Sequence, residues 1–176
     1  CPAAKAQSGG QVVAEANIPV KDIDAEIAYE RGVLEEIELC FQAIDRLQRA
    51  WLKSLSNGDL SLEKAHGRRC VLSVTGLKHI KYAKVFVVMP DGVRIVPLSE
   101  GVPAGTVFNT IIETPVESVV NVLKGVLSGD EDAFSKEWTR GTSRVIGERR
   151  IHDGYVFSEV FRRLASKIKK YKEVRQ

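Results

Sequence analysis

The chain has 176 residues, of which 44% are hydrophobic and 28% are charged, and its formal net charge is +3. This composition is typical of an ordinary soluble globular domain, and no apolar run approaches the roughly 20 residues that a membrane-spanning helix needs. The charge is uneven, since residues 1–66 carry −4 and residues 67–176 carry +7, so the basic half is the C-terminal one.

Residues 1–20 are predicted to form a flexible N-terminal arm, because glycine and proline recur there without an apolar period. Residues 21–176 have the length and composition of a single domain. From Asp22, a predicted cap, apolar residues recur every three or four positions up to a stop at Asn57-Gly58, which predicts a long helix. Those residues are Ile23, Ile27, Leu34, Ile37, Phe41, Ile44, Trp51 and Leu55.

Two questions about this helix stay open at the sequence level. Gly32 lies within it, so the element is either one helix or two helices that meet at that glycine. The apolar stripe either covers the core of its own domain or extends beyond it and packs against a partner helix.

Alternating segments between the two helical regions predict strands. The predicted strands are residues 70–74, 83–88, 93–96, 107–112 and 143–149. Pro90-Asp91-Gly92 predicts a tight hairpin turn between the second and the third. Helices before and after a run of strands favour an α+β fold, here a five-stranded and mostly antiparallel sheet that is covered by helices on one face.

Thr114-Pro115-Val116-Glu117 has the form of a capping box. A helix is therefore predicted to begin there, with the Thr114 hydroxyl accepting from the Glu117 amide and with proline at the first helical position. Gly125 and Gly129 fall near its end, where a left-handed residue can close the last turn.

Two further helices are predicted after this one. Three consecutive carboxylates, at residues 130–132, indicate the amino end of a small helix that carries Phe134 and Trp138. Asp153 is predicted to cap the last helix, which is amphipathic. Its apolar face consists of Phe157, Phe161, Leu164 and Ile168, with Val156 and Val160 beside it.

Three segments of this region carry a resemblance to a known family. They are Val119-Val120-Asn121-Val122-Leu123-Lys124-Gly125, Gly129-Asp130-Glu131-Asp132-Ala133-Phe134 and Gly141-Thr142-Ser143-Arg144-Val145-Ile146-Gly147. In this order, and followed by an apolar helix, they resemble the C-terminal half of the sterol carrier protein type 2 (SCP-2) lipid-transfer family, most clearly over residues 114–164. In that family a terminal helix closes an apolar cavity.

The resemblance implies a cavity that holds a lipid or acyl chain by burial of its methylene groups, without a catalytic residue. The residues expected to bind the ligand are Phe108, Val120, Leu123, Phe134, Trp138, Val156, Phe157, Val160, Phe161 and Leu164. Without the resemblance, the sequence favours a packed core for seven of these residues, namely Val120, Leu123, Phe134, Trp138, Phe157, Phe161 and Leu164. A cavity of about 300 Å³ or more would support a carrier, whereas a filled interior would support an interaction module.

Catalytic and metal-binding patterns are scarce in the sequence. It contains no nucleophile elbow, P-loop or dinucleotide fingerprint, and His66, His79 and His152 have no metal-binding spacing. No enzymatic activity, metal or cofactor is therefore predicted. Three cysteines without paired spacing indicate a reducing compartment, and a cytoplasmic location is expected.

The leading interpretation is non-enzymatic binding or transfer of a lipid or acyl-chain ligand. The alternative is an SCP2-like assembly module that oligomerises through the long helix and the N-terminal arm. The basic residues of the last helix suit an anionic membrane surface or a phosphate head group. A nucleic-acid partner is not expected, because no aromatic residues interleave with those basic residues.

Overall fold

The computed structural model describes residues 20–50, 69–89, 92–97, 109–148 and 150–175. The helices are α1 (Val20–Ala50), α2 (Val116–Ser128), α3 (Ala133–Thr139) and α4 (Arg150–Arg175). The strands are β1 (Arg69–Thr75), β2 (Tyr82–Met89), β3 (Gly92–Pro97), β4 (Thr110–Pro115) and β5 (Arg144–Ile146). The predicted arm and the predicted helix stop at Asn57-Gly58 lie outside the described residues. Within those residues, no helix has both the length and the apolar composition that crossing a membrane requires.

The fold is α+β, and the sheet order is β3-β2-β1-β4-β5. Strand β1 is central, antiparallel to β2 and parallel to β4. The sheet is therefore mixed. The predicted mostly antiparallel sheet is corrected at its centre, where β1 and β4 run parallel. Alternating burial does not distinguish a parallel from an antiparallel neighbour. A parallel pair needs a long connection between its two strands, and the β2-β3 hairpin is part of the connection between β1 and β4.

The first three predicted strands lie within β1, β2 and β3, whereas the last two need correction. The fourth was expected at residues 107–112 but runs from Thr110 to Pro115, because Thr114 and Pro115 still pair with β1. Proline is tolerated there since it ends the strand. The fifth was expected at residues 143–149 but spans only Arg144–Ile146.

The core lies between one face of the sheet and the helices. Alternate β1 residues Cys70, Leu72 and Val74 are buried in it together with apolar residues of α1, α2 and α4. On the opposite face, Ile111 and Ile146 are partly exposed and face each other across β4 and β5. The helices thus cover the face of the sheet that carries Cys70, Leu72 and Val74. Neither Cys40 nor Cys70 forms a disulfide bond among the described residues.

Helix α1 is continuous through Gly32, so the region forms one helix and not two. Its residues Leu34, Ile37, Phe41 and Ile44 are all buried in the core of the chain itself. Glu38, one turn from Leu34, accepts a hydrogen bond from the Tyr82 hydroxyl (2.5 Å) and forms an ion pair with the buried Lys84. These two contacts attach helix α1 to strand β2.

The predicted capping box at Thr114 is wrong, although α2 does begin at Val116. The residue preceding the helix is Pro115, in an extended conformation and without a side-chain cap, because Thr114 still belongs to the sheet. The Thr114 hydroxyl instead lies 2.7 Å from the Ser143 hydroxyl. The predicted end is confirmed, since Gly129 closes α2 with φ = 91°.

The predicted cap of the last helix is also wrong. Helix α4 begins at Arg150, so Asp153 lies inside it rather than at its amino end. Before α3, the carboxylate of Asp130 accepts from the Asp132 amide (3.0 Å) and pairs with Lys136 (2.7 Å). The acidic run therefore orders the short connection between α2 and α3.

Candidate ligand cavity

A small cavity of about 70 Å³ lies between the sheet and the helices. The sheet and α1 contribute Phe41, Leu72, Phe86, Ile112 and Thr114 to its wall. Helix α2 contributes Ser118, Val119, Val122 and Leu123, and the remaining residues are Phe134, Glu137, Trp138, Ser143 and Phe161. Its surroundings are predominantly apolar, so the cavity can bury an aliphatic group.

Helix α3 lies over this cavity because α2 carries a glycine, Gly125, where the two helices are closest. A Cβ atom at Gly125 would lie 2.6 Å from the Cβ of Ala133, a distance that packed side chains do not reach. Glycine at this position therefore allows the start of α3 to pack directly on α2. Only 7 residues long, α3 then places Phe134, Glu137 and Trp138 at the cavity.

Aromatic side chains form one wall of the cavity. The ring of Phe134 stacks on that of Trp138, with centroids 6.4 Å apart, and on that of Phe161, with centroids 6.2 Å apart. Phe134 is half-buried and Phe161 is buried, whereas Trp138 is 45% exposed. The stack therefore runs from the core to the surface.

Polar groups occupy part of the wall in pairs. The hydroxyls of Thr114 and Ser143 are 2.7 Å apart, and those of Ser118 and Thr142 are 3.4 Å apart. Thr114 and Ser118 are buried, so this pairing satisfies hydroxyls that would otherwise be unfavourable in an apolar wall.

Glu137 is the charged residue of the wall, and it is 94% buried, with a relative exposure of 6%. Its Oε1 atom accepts a hydrogen bond from the amide of Asn121 (3.1 Å) and lies 3.5 Å from the guanidinium of Arg140. Among the described residues, its Oε2 atom has no hydrogen-bond partner and is buried.

An open groove of about 560 Å³ lies on the outer side of the aromatic wall. It runs between α3, β5 and the start of α4, and it shares Ile112, Phe134, Trp138 and Ser143 with the cavity. Arg144 and Arg150, both exposed, line the groove. The cavity and the groove therefore adjoin each other at these four side chains.

The structure places the sequence-predicted site residues in four different settings. Leu123, Phe134, Trp138 and Phe161 line the cavity together. Val160 and Leu164 are buried in the core and are not among the lining residues. Val120 instead lines a separate groove between α1 and α2, because it lies on the side of α2 that faces α1. Phe108, and the side chains of Val156 and Phe157, lie outside the described residues.

Several lining residues were missed at the sequence level. Phe41 and Phe86 come from α1 and β2, which only the tertiary structure brings beside α2; their rings meet edge to face, with centroids 5.8 Å apart. Glu137 did have a signal, since it follows Phe134 by three positions and therefore shares its side of a short helix.

Chemically, the arrangement offers an apolar space with few polar groups. In the part of the chain that the structure describes, no three or more histidine, cysteine or acidic side chains are grouped as metal ligands. The cavity instead combines aliphatic and aromatic walls with a few oxygen atoms, as small-molecule sites commonly do.

Comparison with known proteins gives structural matches only: no protein-family model and no curated protein sequence matches the chain. A structure described as "UbiJ-SCP2 Ubiquinone synthesis protein" is 12% identical, with a TM-score of 0.43 over 71% of this chain and 96% of the other.

Two further matches are described as sterol carrier proteins. The sterol carrier protein domain 2 of Helicoverpa armigera is 14% identical, with a TM-score of 0.43 over 70% of this chain and 86% of the other. Sterol Carrier Protein 2 from Yarrowia lipolytica, in its apo form, is 11% identical, with a TM-score of 0.47 over 72% and 89%. All three matches carry SCP2 or sterol carrier protein in their descriptions, the family whose resemblance was noted for residues 114–164 in the sequence analysis.

Proposed function

We propose that the protein binds an aliphatic or acyl-chain ligand non-enzymatically, with the end of the chain inserted into the cavity between the sheet and helices α2 and α3. The observation that carries this proposal is that two spaces adjoin each other. The cavity and the open groove share four lining residues, so a chain that lies in the groove needs to pass only those side chains to reach the core.

An unfilled apolar space in a protein core favours a ligand. Protein interiors are close-packed, and a residual cavity lowers stability by roughly 24 cal/mol per Å³. A hydrocarbon that fills the space of about 70 Å³ would supply packing contacts that its walls lack.

The size of the cavity also limits the length of chain that it can hold. It is well below the 300 Å³ expected for a carrier, and it accommodates only the end of a chain. A longer chain must therefore occupy the groove as well, which requires the side chains of Phe134 and Trp138 to change rotamer. Each methylene group that is buried in this way contributes about 0.8 kcal/mol.

Tryptophan fluorescence tests this proposal, because Trp138 lies between the two spaces. The chain has one other tryptophan, Trp51, and a Trp51→Phe background removes its signal. We expect octanol, or a longer aliphatic ligand, to change the Trp138 emission saturably. Native mass spectrometry of the purified protein provides a second measurement, the mass of a co-purified lipid.

A matched pair of valine substitutions supplies the control. Val122→Phe fills the cavity and should abolish the fluorescence response, whereas Val120→Phe alters the same helix on the side of the other groove and should preserve it. Both valines are half-buried, so their effects on folding are comparable. A parent protein with no saturable response to any aliphatic ligand would refute the proposed function.

The oligomerisation alternative stays a prediction. The predicted arm lies outside the described residues, and the apolar stripe Leu34, Ile37, Phe41 and Ile44 is buried without a second copy of the chain. Sedimentation at micromolar concentration measures the oligomeric state directly.

A further inference from the structure

Exposed apolar side chains gather at one end of the sheet. Within the part of the chain that the structure describes, eight large hydrophobic residues are exposed, and four of them lie around strand β5. These four are Ile111, Trp138, Ile146 and Tyr155. Soluble monomeric proteins rarely expose apolar residues in such groups, except where a partner or a membrane covers them. The end of the sheet around β5 is therefore a candidate docking surface.

The four residues lie on both sides of β5. Ile111 and Ile146 are directly opposite each other in strands β4 and β5, on the face of the sheet away from the helices. Trp138 and Tyr155 line the open groove on the helical face, together with Val145 of β5. In the described sheet, β5 is the last strand and has only three residues. The two pairs therefore flank a short edge strand, and we call this region the β5 edge surface.

The β5 edge surface also carries positive charge. Arg144 of β5 and Arg150, the first residue of α4, are exposed and line the groove. No carboxylate is present among the described lining residues of the groove. In the sequence, residues 144–150 contain three arginines and one glutamate, and Glu113, opposite Arg144 in the sheet, adds a second carboxylate. The balance is positive, so the surface favours an anionic partner.

We propose that the β5 edge surface docks on an anionic lipid membrane. Tryptophan and tyrosine are enriched at membrane–water interfaces, because each side chain joins an apolar ring to a polar group that stays hydrated. A guanidinium group binds phosphate oxygens through two parallel hydrogen bonds. The inference rests on the proposed function for its role, because docking here would place the groove against a source of aliphatic chains.

Helix α4 extends this surface along one side. Lys169 lies close to four full turns, of about 3.6 residues each, after Tyr155. The two side chains therefore project from the same side of α4, and both are exposed. A helix lying along a membrane would place Tyr155 at the interface and Lys169 at the head groups. The basic C-terminal end of α4 and the β5 edge surface are thus compatible with one orientation.

A second copy of the chain is a less suitable partner for this edge. Exposed edge strands do pair with one another. A symmetric pair of β5 strands, however, would gather Arg144 and Arg150 of both copies at one interface, where like charges repel. Strand β5 also offers only three residues for pairing. Lipid phosphates would instead neutralise the arginines.

Co-sedimentation with lipid vesicles tests this inference. We expect the protein to bind vesicles of phosphatidylserine and phosphatidylcholine more tightly than vesicles of phosphatidylcholine alone. In the Trp51→Phe protein, the anionic vesicles should shift the Trp138 emission to shorter wavelength, and lipids brominated on their acyl chains should quench it. Quenching requires that the indole reach the bilayer, so attraction by net charge alone does not produce it.

Two double substitutions remove the apolar and the basic parts of the surface. Tyr155→Ser/Ile146→Ser leaves the wall of the cavity intact and should weaken vesicle binding about tenfold or more, since two apolar side chains no longer enter the interface. Arg144→Gln/Arg150→Gln should weaken binding to anionic vesicles roughly thirtyfold. All four side chains are exposed, so both variants should fold.

Tyr29→Ser/Leu39→Ser is the matched control for the apolar pair. Both residues belong to α1 and are even more exposed, at 74% and 65%. Their substitution should leave vesicle binding unchanged. Equal weakening by the two apolar double variants would overturn the inference, because any exposed apolar pair would then serve.

Two further results would also overturn it. One is a parent protein that binds neither kind of vesicle while octanol still changes the Trp138 emission saturably, and the proposed function would then stand without this surface. The other is a dimer in place of vesicle binding, detected by sedimentation and dissociated by Tyr155→Ser/Ile146→Ser, because a second copy would then cover the edge. Vesicle docking through this edge without any response to aliphatic ligands would support the surface and refute the proposed function.

Discussion

At the residue scale, Glu30 shows how one side chain joins two elements. It lies in the middle of α1 and is buried, and its carboxylate accepts hydrogen bonds from three consecutive amides, those of Lys78 (2.5 Å), His79 (3.0 Å) and Ile80 (3.0 Å). Burial by itself raises the pKa of this carboxyl, but the three amides outweigh it and hold the pKa below its ordinary value. The loop between β1 and β2 is thereby fastened to α1.

This arrangement predicts a stability that falls in acid. A carboxyl whose pKa is lower in the folded state stabilises the protein above its unfolded pKa, and the contribution disappears as the pH falls through the folded pKa. We expect Glu30→Gln to be less stable than the parent at pH 7 and to lose less of its remaining stability between about pH 5 and about pH 3. Urea midpoints measured across this range check the prediction.

Glu35→Gln is the control for Glu30→Gln. Glu35 is an exposed carboxylate of the same helix. Its substitution should leave the pH dependence nearly parallel to that of the parent. Identical pH profiles for the two variants would mean that the amides of residues 78–80 do not stabilise the Glu30 carboxylate.

At the element scale, two glycines within helices should respond oppositely to alanine. At Gly32 of α1, an added Cβ would meet nothing within 4 Å, so Gly32→Ala should gain about 1 kcal/mol from helix propensity. At Gly125 of α2, the Cβ would lie 2.6 Å from that of Ala133, so Gly125→Ala should lose about 1–3 kcal/mol despite the same propensity gain. Thermal or denaturant unfolding measures both.

A compensating substitution separates this contact from other effects of the alanine. Ala133→Gly removes the Cβ atom that Gly125→Ala would strike, so the double variant should recover part of the lost stability. Equal stabilisation by alanine at Gly32 and Gly125 would contradict the close packing of α3 on α2.

At the scale of the whole molecule, the uneven charge predicts an orientation on anionic membranes. Lys169 and Lys170 are exposed near the C-terminal end of α4. A basic residue close to an anionic surface contributes about 1 kcal/mol, so Lys169→Gln/Lys170→Gln should weaken binding to phosphatidylserine vesicles roughly thirtyfold. Vesicle co-sedimentation at two salt concentrations checks the effect, which added salt should diminish.

The matched control changes two lysines of the loop between β1 and β2. Lys78 and Lys81 are also exposed, so Lys78→Gln/Lys81→Gln alters the net charge equally on a different surface. We expect it to retain most of the binding. Equal losses for the two double variants would show that only net charge matters, and α4 would then have no special role.

Much of the element list could be predicted from the sequence alone, because it depends on local patterns. The spacing of Leu34, Ile37, Phe41 and Ile44 is enough to predict a helix with one buried face, and the residues before and after Pro90-Asp91-Gly92 are enough to predict paired strands. The left-handed glycine at the end of α2 was likewise predicted, since few other residues adopt that conformation.

The tertiary structure decided which groups meet. Thr114 had the spacing of a helix cap, yet its hydroxyl pairs with Ser143, because β4 continues beside β1 for three more residues than the pattern indicated. The parallel pairing of β1 with β4 and the small volume of the cavity also depend on packing between distant segments, which sequence periodicity does not encode. The position of Glu137 in the cavity wall depends on packing as well: a short helix carries it there together with Phe134, and only the fold shows that its second oxygen has no partner among the described residues.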